Sequence, residues 1–304
     1  MKLNRSILLS RKIVRVALIG IISASLFSCA SNPYRKTDRF HDKRAKYLSK
    51  SMHQRTVQKD TSKLQLKWVG TTNFNLRKPN YVVIHHTAQH SIEQTLRTFT
   101  LPRTQVSAHY VVSRDGETYQ MLGDMYRAWH AGIGSWGGNT DVNSSSIGIE
   151  LDNDGHEEFS DEQIESLLKL LKELKEKYNI PAQNFIGHSD LAPGRKVDPN
   201  PNFPWKKLAH KGFSIWYSKD LDELKYIDKI LQDISIEQAR LRMPKKAPDF
   251  DVEVALKVIG YDISNLEAAI QSFKIHYVQD RIKKPLNEEE KTKLYQIYQI
   301  FLHL

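Results

Sequence analysis

One short segment, rich in proline and glycine, places three chemically distinct side chains close together in this chain. Residues 187–205 read Gly-His-Ser-Asp-Leu-Ala-Pro-Gly-Arg-Lys-Val-Asp-Pro-Asn-Pro-Asn-Phe-Pro-Trp. Proline and glycine interrupt regular structure here, so the chain can turn back on itself between His188 and Asp198. Lys196 lies on the same turn. An imidazole and a carboxylate can hold a metal ion, and an ammonium can stabilise an oxyanion.

A further imidazole lies far upstream, at the end of a continuous apolar run. The run Tyr81–Ile84 predicts a buried strand, and His85 follows it where a side chain is held rigidly over a cleft. Side chains alternate along a strand, so the adjacent His86 is expected on the opposite face and not as a ligand. A hydrolytic zinc site needs three protein ligands and one open position for water. His85, His188 and Asp198 would supply the three ligands. Taken singly, each histidine could instead be a hydrogen-bonded core residue.

The first 28 residues have the pattern of an export signal. Five basic side chains precede or border an apolar run of 12 residues, Val16–Phe27, which is too short for a comfortable transmembrane helix. The run leads into Leu26-Phe27-Ser28-Cys29, which resembles a lipoprotein lipobox. Cys29 is the single cysteine, so an intramolecular disulfide is impossible. We therefore expect acylation of Cys29 and a lipid anchor in an outer membrane, facing the periplasm. The alternative is an ordinary signal peptide followed by an idle thiol.

The basic excess of the chain lies ahead of its folded part. The net charge is +10 overall, yet residues 30–67 alone hold eleven Lys or Arg and three Asp. Nucleic-acid binding is not expected, because it needs a basic patch on a folded face. With the lipidated Cys29, this segment is interpreted as a basic, largely disordered linker over residues 29–67. It is either a solvated spacer or a segment that favours anionic lipid or wall polymer.

Beyond residue 68 the hydrophobic pattern alternates between strand and helix. Strands are predicted at Tyr81–Ile84, His109–Ser113, Thr118–Met121 and Ser146–Leu151, and helices from Ser91 to about Phe99 and from Ser160 to about Tyr178. The polar segment 123–145 predicts a long loop, and such loops are usually functional. Residues 68–217 are thus predicted to form an α/β domain with a mixed central β-sheet flanked by helices. Strand signals end there, and residues 218–304 predict a small helical module with its own core.

Three motifs occur in one order along the predicted α/β domain. They are Val-Ile-His-His-Thr-Ala at 83–88, Ser-Ile-Gly-Ile-Glu at 146–150 and Gly-His-Ser-Asp-Leu-Ala-Pro-Gly-Arg-Lys-Val-Asp-Pro at 187–199. Together they resemble the zinc-dependent N-acetylmuramoyl-L-alanine amidases of the type 2 amidase family, which share their domain with peptidoglycan recognition proteins. The resemblance implies a Zn²⁺ ion held by His85, His188 and Asp198.

The resemblance also implies roles for five further side chains. Glu150 matches the family's acid/base glutamate, and Lys196 matches its oxyanion-stabilising lysine. His109, Trp129 and His130 match positions that line the substrate groove. For His109 and Trp129, packing in the core is an equally good interpretation of the sequence.

The implied reaction is hydrolysis of the amide between N-acetylmuramic acid and L-alanine, in peptidoglycan or in muropeptides. A peptidoglycan receptor on the same fold, without catalysis, is the alternative. Residues 218–304 resemble a three-helix peptidoglycan-binding module, although they could be a purely structural cap. One departure from the family lies at Asn200, where a glycine is usual; we expect asparagine to tolerate a positive φ in this turn.

Overall fold

The computed structural model describes residues 32–52, 73, 78–217 and 246–303. The chain divides into two compact units, Met1–Asn73 and Phe74–Leu304. The first contains helix α1 (Arg35–Met52), in which no residue is buried. This helix differs from the expected disordered linker; its many Lys and Arg residues are good helix formers, and their side chains are not buried. Cys29 and the apolar run before it lie outside the described residues. Within the described ranges, no helix is long and apolar enough to cross a membrane.

The second unit follows the predicted alternation of strands and helices. Its elements are β1 (Tyr81–His86), α2 (Ile92–Thr100), β2 (Tyr110–Val112), β3 (Thr118–Gln120), β4 (Ser146–Leu151), α3 (Asp161–Tyr178), β5 (Phe185–Gly187), α4 (His188–Leu191), α5 (Trp205–His210), α6 (Val252–Ile259), α7 (Leu266–Phe273) and α8 (Glu288–Phe301). A single π-helical turn, Lys274–Val278, continues α7.

The sheet has five strands in the order β3-β2-β4-β1-β5. Strands β2, β4, β1 and β5 are parallel, and β3 alone runs antiparallel, beside β2. The predicted mixed sheet flanked by helices is therefore confirmed. The register sets His85 beside Glu150 on the neighbouring strand, and His188 follows β5 directly. Because parallel strands end at the same sheet edge, all three side chains meet at the carboxyl edge, where α/β proteins bind ligands.

Two predicted helix starts are confirmed by their caps. The Ser91 hydroxyl accepts from the backbone N–H of Gln94 at 3.3 Å. The Ser160 hydroxyl accepts from the N–H of Gln163 at 3.1 Å. Helix α3 then buries its apolar stripe against the sheet, with Ile164, Leu167, Leu170, Leu171 and Leu174 all in the core. Asn179 ends the helix in the left-handed conformation that asparagine tolerates.

The C-terminal helices share one hydrophobic core with the sheet domain, so the expectation of a module with its own core is corrected. The Tyr261 hydroxyl donates to Asp190 Oδ1 at 2.8 Å, and His276 Nδ1 lies 2.7 Å from Asp190 Oδ2. The His276 ring stacks on Trp205, with 3.7 Å between ring centroids. Sequence periodicity reports that a helix has an apolar face, but it does not report what that face covers.

A buried carboxylate ties strand β2 to helix α3. Asp124 accepts from the hydroxyls of Tyr110 and Tyr178, each at 2.6 Å, and from Lys177 Nζ at 2.8 Å. Burial alone would raise the pKa of Asp124. The hydrogen bonds from Lys177, Tyr110 and Tyr178 outweigh burial and hold the pKa below its usual value.

We expect Asp124→Asn to lower the free energy of unfolding at pH 7 by about 2 kcal/mol, because hydrogen bonds to a charged group are lost. The folded-state pKa is depressed, so the stabilisation is complete above the unfolded pKa near ~4 and is lost as pH falls through the folded pKa. Urea unfolding at pH 7 and near pH ~3 should therefore show the difference between wild type and variant shrinking with acidity.

The exposed Asp161 provides the matched control, since its ion pair with Lys207, at 3.4 Å, lies on the surface. Asp161→Asn should change the stability by less than about 1 kcal/mol. An Asp124→Asn effect that is equal at both pH values would contradict the assigned role of the carboxylate.

Candidate metal site

Three ligand atoms from three parts of the chain converge on one point. His85 Nδ1, His188 Nδ1 and Asp198 Oδ2 lie 3.0 Å from one another in each of the three pairs. His85 comes from the carboxyl end of β1, His188 opens α4, and Asp198 returns on the turn that follows α4. All three side chains are buried. The sequence-predicted ligands are therefore brought together, and His86 is not part of this group.

The ionisation of these groups suits a cation. Burial, together with the charge of the neighbouring His188, lowers the pKa of His85 to about 4, so His85 is a neutral imidazole at neutral pH. Burial alone would raise the pKa of Asp198, but the adjacent imidazoles of His188 and His85 hold it well below its usual range. A neutral imidazole and a carboxylate are the forms that bind metals. Two nitrogens and one oxygen this close together fit one small metal ion.

Glu150 lies beside this point with an unsatisfied carboxylate oxygen. It pairs in register with His85, and its Oε2 is buried with no hydrogen-bond partner among the described residues. Burial and, to a smaller extent, the charge of Asp198 raise the pKa of Glu150 to about 8, although the charge of Lys196 opposes the shift. Buried polar groups in native proteins are normally satisfied, so this oxygen indicates a place for a water or a substrate group.

A pocket of about 360 Å³ opens above the three ligands. Glu150 and Lys196 both line it, as the sequence predicts for two catalytic side chains. Lys196 is half-buried and stands two residues before the ligand Asp198. Arg195 also lines the pocket and donates from Nη2 to the carbonyl oxygens of Ala131 and Ile133. Nothing in the sequence singled out Arg195, because a lone arginine on a loop is usually a solvated charge.

The three predicted groove residues have different positions. Trp129 lines the pocket with 53% of its surface exposed, so it is available to a substrate. His109 is fully buried: its Nδ1 accepts from the N–H of Gly148 at 3.0 Å, and its Nε2 donates to the carbonyl of Tyr126 at 2.9 Å. The prediction that His109 binds substrate is therefore corrected, and the alternative of a core residue holds.

His130 borders the pocket, as predicted for a residue of the groove. Its ring is buried and both of its nitrogens are engaged inside the protein. Nδ1 lies 3.0 Å from His85 Nε2, and Nε2 lies 3.0 Å from the Ser146 hydroxyl. His130 therefore contacts a candidate metal ligand, and its contact with substrate stays a prediction. The sequence signal for this was present in the alternate spacing of Ser146, Gly148 and Glu150, which places the three on one strand face.

The expectation that Asn200 adopts a positive φ is wrong, because its φ is not positive. Its contacts are hydrogen bonds. Its backbone N–H donates to His86 Nδ1 at 3.1 Å. Its side-chain amide donates to Asn153 Oδ1 at 3.3 Å and to the carbonyl of Glu157 at 3.2 Å. Asn200 and His86 therefore fasten the turn after Asp198 to the loop after β4.

The turn that carries His188 is held from the other side by Asp190. Asp190 Oδ2 accepts from the N–H of Gly187 at 2.7 Å, which closes the start of α4. The same carboxylate is the one that Tyr261 and His276 contact from the C-terminal helices. The C-terminal region therefore supports a residue two positions from a metal ligand.

An α/β fold with two histidines and an aspartate converging at the carboxyl edge of its sheet, beside a buried unpaired glutamate, defines a candidate metal-dependent hydrolase. Residues 75–201 match the N-acetylmuramoyl-L-alanine amidase family Amidase_2. The chain thus carries an Amidase_2 domain over residues 75–201.

Two curated relatives are similar to this chain in sequence. The N-acetylmuramoyl-L-alanine amidase AmiD of Escherichia coli (strain K12) is 39% identical, over 44% of this chain and 54% of that protein. The 1,6-anhydro-N-acetylmuramyl-L-alanine amidase AmpD of Citrobacter freundii is 41% identical, over 34% of this chain and 56% of that protein. The chain therefore spans about half the length of the curated relatives it matches.

A solved structure of AmiD from E. coli is similar to this chain in its fold. It is a complex with the substrate anhydro-N-acetylmuramic acid-L-Ala-D-gamma-Glu-L-Lys. The superposition has a TM-score of 0.60 at 27% identity, and it covers 78% of this chain and 95% of that chain. That share exceeds residues 75–201, so the similarity in fold extends beyond the matched family region.

We expect His188→Ala to abolish tight metal binding, because two ligands remain where three converge. Added zinc should raise the melting temperature of the wild type by binding only the folded state, and should leave that of the variant unchanged. Metal content after dialysis and melting curves with and without zinc measure both effects. The exposed His90 provides the control, and His90→Ala should bind zinc as the wild type does. Retention of zinc by His188→Ala with wild-type affinity would refute the site.

Proposed function

We propose that this protein is a zinc-dependent amidase that hydrolyses the bond between N-acetylmuramic acid and L-alanine in peptidoglycan or its fragments. The observation that carries the proposal is the convergence of His85, His188 and Asp198 in one pocket with the unpaired carboxylate of Glu150. The names of the relatives AmiD and AmpD support the substrate class.

Zinc is the metal that this donor set favours. Two imidazole nitrogens and one carboxylate oxygen, with a fourth position open to a pocket, are the ligands of hydrolytic zinc sites. When bound, zinc would supply a Lewis acid that polarises the scissile carbonyl and makes water more acidic.

Glu150 is placed to move protons during the reaction. Its Oε2 has no partner among the described residues and can accept a hydrogen bond from water in the pocket. A pKa raised to about 8 by burial allows the carboxyl group to take up and release a proton near neutral pH. Glu150 would take a proton from the attacking water and deliver it to the leaving amine nitrogen of L-alanine, which departs with a free amino group.

Lys196 is placed to stabilise the negative charge that develops on the carbonyl oxygen. The charge of Lys196 opposes the rise in the pKa of Glu150 and contributes to the lowered pKa of His85. Its electrostatic field therefore reaches the centre of the site. A fixed positive charge in a partly enclosed pocket stabilises an oxyanion more strongly than it would in water. Trp129, exposed at the pocket, offers an apolar surface for the sugar or the lactyl group of the substrate.

A peptidoglycan receptor on the same fold is the second candidate function. Binding alone would need the pocket and Trp129, but not a buried unpaired glutamate beside three convergent metal ligands. The complete set of ligands, together with Glu150 and Lys196, favours the enzyme.

Mass spectrometry of products from defined muropeptides, with and without the anhydro ring, tests the proposal. The wild type should release the free stem peptide, a chelator should stop the release, and zinc should restore it. Glu150→Gln keeps the shape and should retain zinc while losing about 10²–10⁴-fold in kcat. Lys196→Ala should retain zinc and lose about 10²–10³-fold in kcat.

His90→Ala, on the surface, should keep full turnover and serves as the control. Binding of muropeptide without release of peptide, with zinc supplied, would instead support the receptor. Undiminished turnover by Lys196→Ala would refute its assigned role.

We further propose that the protein is a lipoprotein of the outer membrane, anchored at Cys29 and facing the periplasm. The lipobox-like sequence before Cys29 supports this location. Helix α1 follows it and presents basic side chains together with exposed Phe40 and Tyr47, a composition that suits an anionic surface. Cys29→Ser should transfer the protein from the membrane fraction to the soluble fraction while leaving turnover of muropeptides unchanged. Retention of that variant in the membrane fraction after a high-salt wash, which screens attraction between basic α1 and anionic lipid, would contradict the lipid anchor.

A further inference from the structure

Each imidazole in the candidate metal site has two nitrogens, and only an unprotonated one can bind a metal. In a neutral histidine one nitrogen carries the proton and donates, and the other has the lone pair and accepts. The hydrogen bond made by the outward nitrogen therefore decides which nitrogen faces the metal. For both ligand histidines, that outward partner comes from the loop Trp129–Gly132.

For His85, the donor and acceptor of each hydrogen bond can be assigned in turn, starting from the carbonyl oxygen of Val142. The Ser146 hydroxyl lies 2.6 Å from the carbonyl oxygen of Val142, and a carbonyl cannot donate, so the hydroxyl does. Ser146 Oγ must then accept from His130 Nε2, at 3.0 Å. A neutral His130 that donates from Nε2 accepts at Nδ1, so His85 Nε2, at 3.0 Å, is the donor. The lone pair of His85 is thereby left on Nδ1, which is the atom that faces His188 and Asp198.

For His188, the backbone carbonyl of Ala131, the next residue of the same loop, likewise fixes which nitrogen carries the proton. His188 Nε2 lies 2.9 Å from the carbonyl oxygen of Ala131. That oxygen can only accept, so Nε2 carries the proton and the lone pair of His188 is on Nδ1. Nδ1 lies 3.0 Å from Asp198 Oδ2, inside the group of ligand atoms. Two consecutive residues, one through its side chain and one through its backbone, thus orient two ligands.

We propose that His130 and the Ala131 carbonyl are positioning residues that hold both ligand histidines in the form with Nδ1 free for the metal, with Ser146 fixing the direction of the His130 bonds. The proposal rests on the metal site of the proposed function, but not on any reaction taking place there.

The surroundings of the loop fit this role. A Cβ atom at position 148 would stand 2.4 Å from Cγ of His130, so only glycine lets that ring lie against strand β4. Asn143 Oδ1 accepts from the backbone N–H groups of His130, at 3.1 Å, and Ala131, at 2.9 Å, which fixes the loop. Partners behind metal-bound histidines commonly set ring orientation and raise affinity in this way.

Zinc affinity, measured by competition with a chelator, tests the proposal without substrate. His130→Phe keeps a ring over Gly148 but removes both hydrogen bonds, and we expect it to weaken zinc binding about 10–100-fold. His130→Gln can still accept from His85 and donate to Ser146, so it should recover part of the loss. Ser146→Ala should cause a smaller loss than His130→Phe. The last two variants keep the test valid if His130→Phe does not fold.

His109→Phe is the matched control. His109 is an equally buried histidine 5.9 Å from His130 between ring centroids, but its bonds go to Gly148 and Tyr126 and not to a ligand. It should lower stability without lowering zinc affinity by more than about twofold, whereas His130→Phe should lower affinity.

Nitrogen-15 NMR of the metal-free protein gives an independent result. His85 and His188 should each show a protonated Nε2 and a bare Nδ1 in the wild type, and His85 should become a mixture of both forms in His130→Phe. A wild type with the proton on Nδ1 of His85, or a His130→Phe variant with unchanged affinity and unchanged proton positions, would overturn the proposal. Because neither measurement uses a muropeptide, loss of the amidase proposal would leave this result intact.

Discussion

The approach of one carboxylate to two neutral imidazoles, at 3.0 Å in every pair, is the constraint on which the rest of the site depends. A buried carboxylate is costly unless it is paired. Here the carboxylate of Asp198 lies beside two imidazoles, at a point where a bound cation would compensate its charge. The parallel sheet makes the convergence possible, because β1 and β5 end at one edge and deliver His85 and His188 side by side. Asp198 then needs only the turn after α4 to reach them.

The ligand side chains are held in place by residues that are not themselves among the three candidate ligands. His188 is held at its outward nitrogen by the Ala131 carbonyl, and its turn is closed by Asp190. Asp190 in turn is the contact point for Tyr261 and His276 of the C-terminal helices. Those helices therefore act as part of the domain that carries the site.

Much of this arrangement is readable from the sequence, and the exceptions share one cause. Local patterns predicted four of the five strands, the Ser91 and Ser160 caps and the mixed sheet, but not the short strand β5. The family motifs predicted the three ligands and Glu150. What failed depended on tertiary partners: His109 proved to be a core residue, and the C-terminal helices cover the sheet domain. Asn200 makes hydrogen bonds to the loop after β4 and to His86, and its φ is not positive. A sequence pattern specifies which face of an element is apolar or polar, but the partner of that face is set only when the chain folds.

Strand β4 shows how one short motif can serve three purposes. Ser146, Gly148 and Glu150 occupy alternate positions, so all three face the same side of the sheet. Serine fixes the direction of the His130 hydrogen bonds, glycine makes room for the His130 ring, and glutamate reaches the pocket. The adjacent loop divides its work similarly, since Trp129 is exposed to the pocket while His130 turns inward to a ligand. In the proposed enzyme, substrate contact and ligand orientation would thereby fall to neighbouring residues, Trp129 and His130.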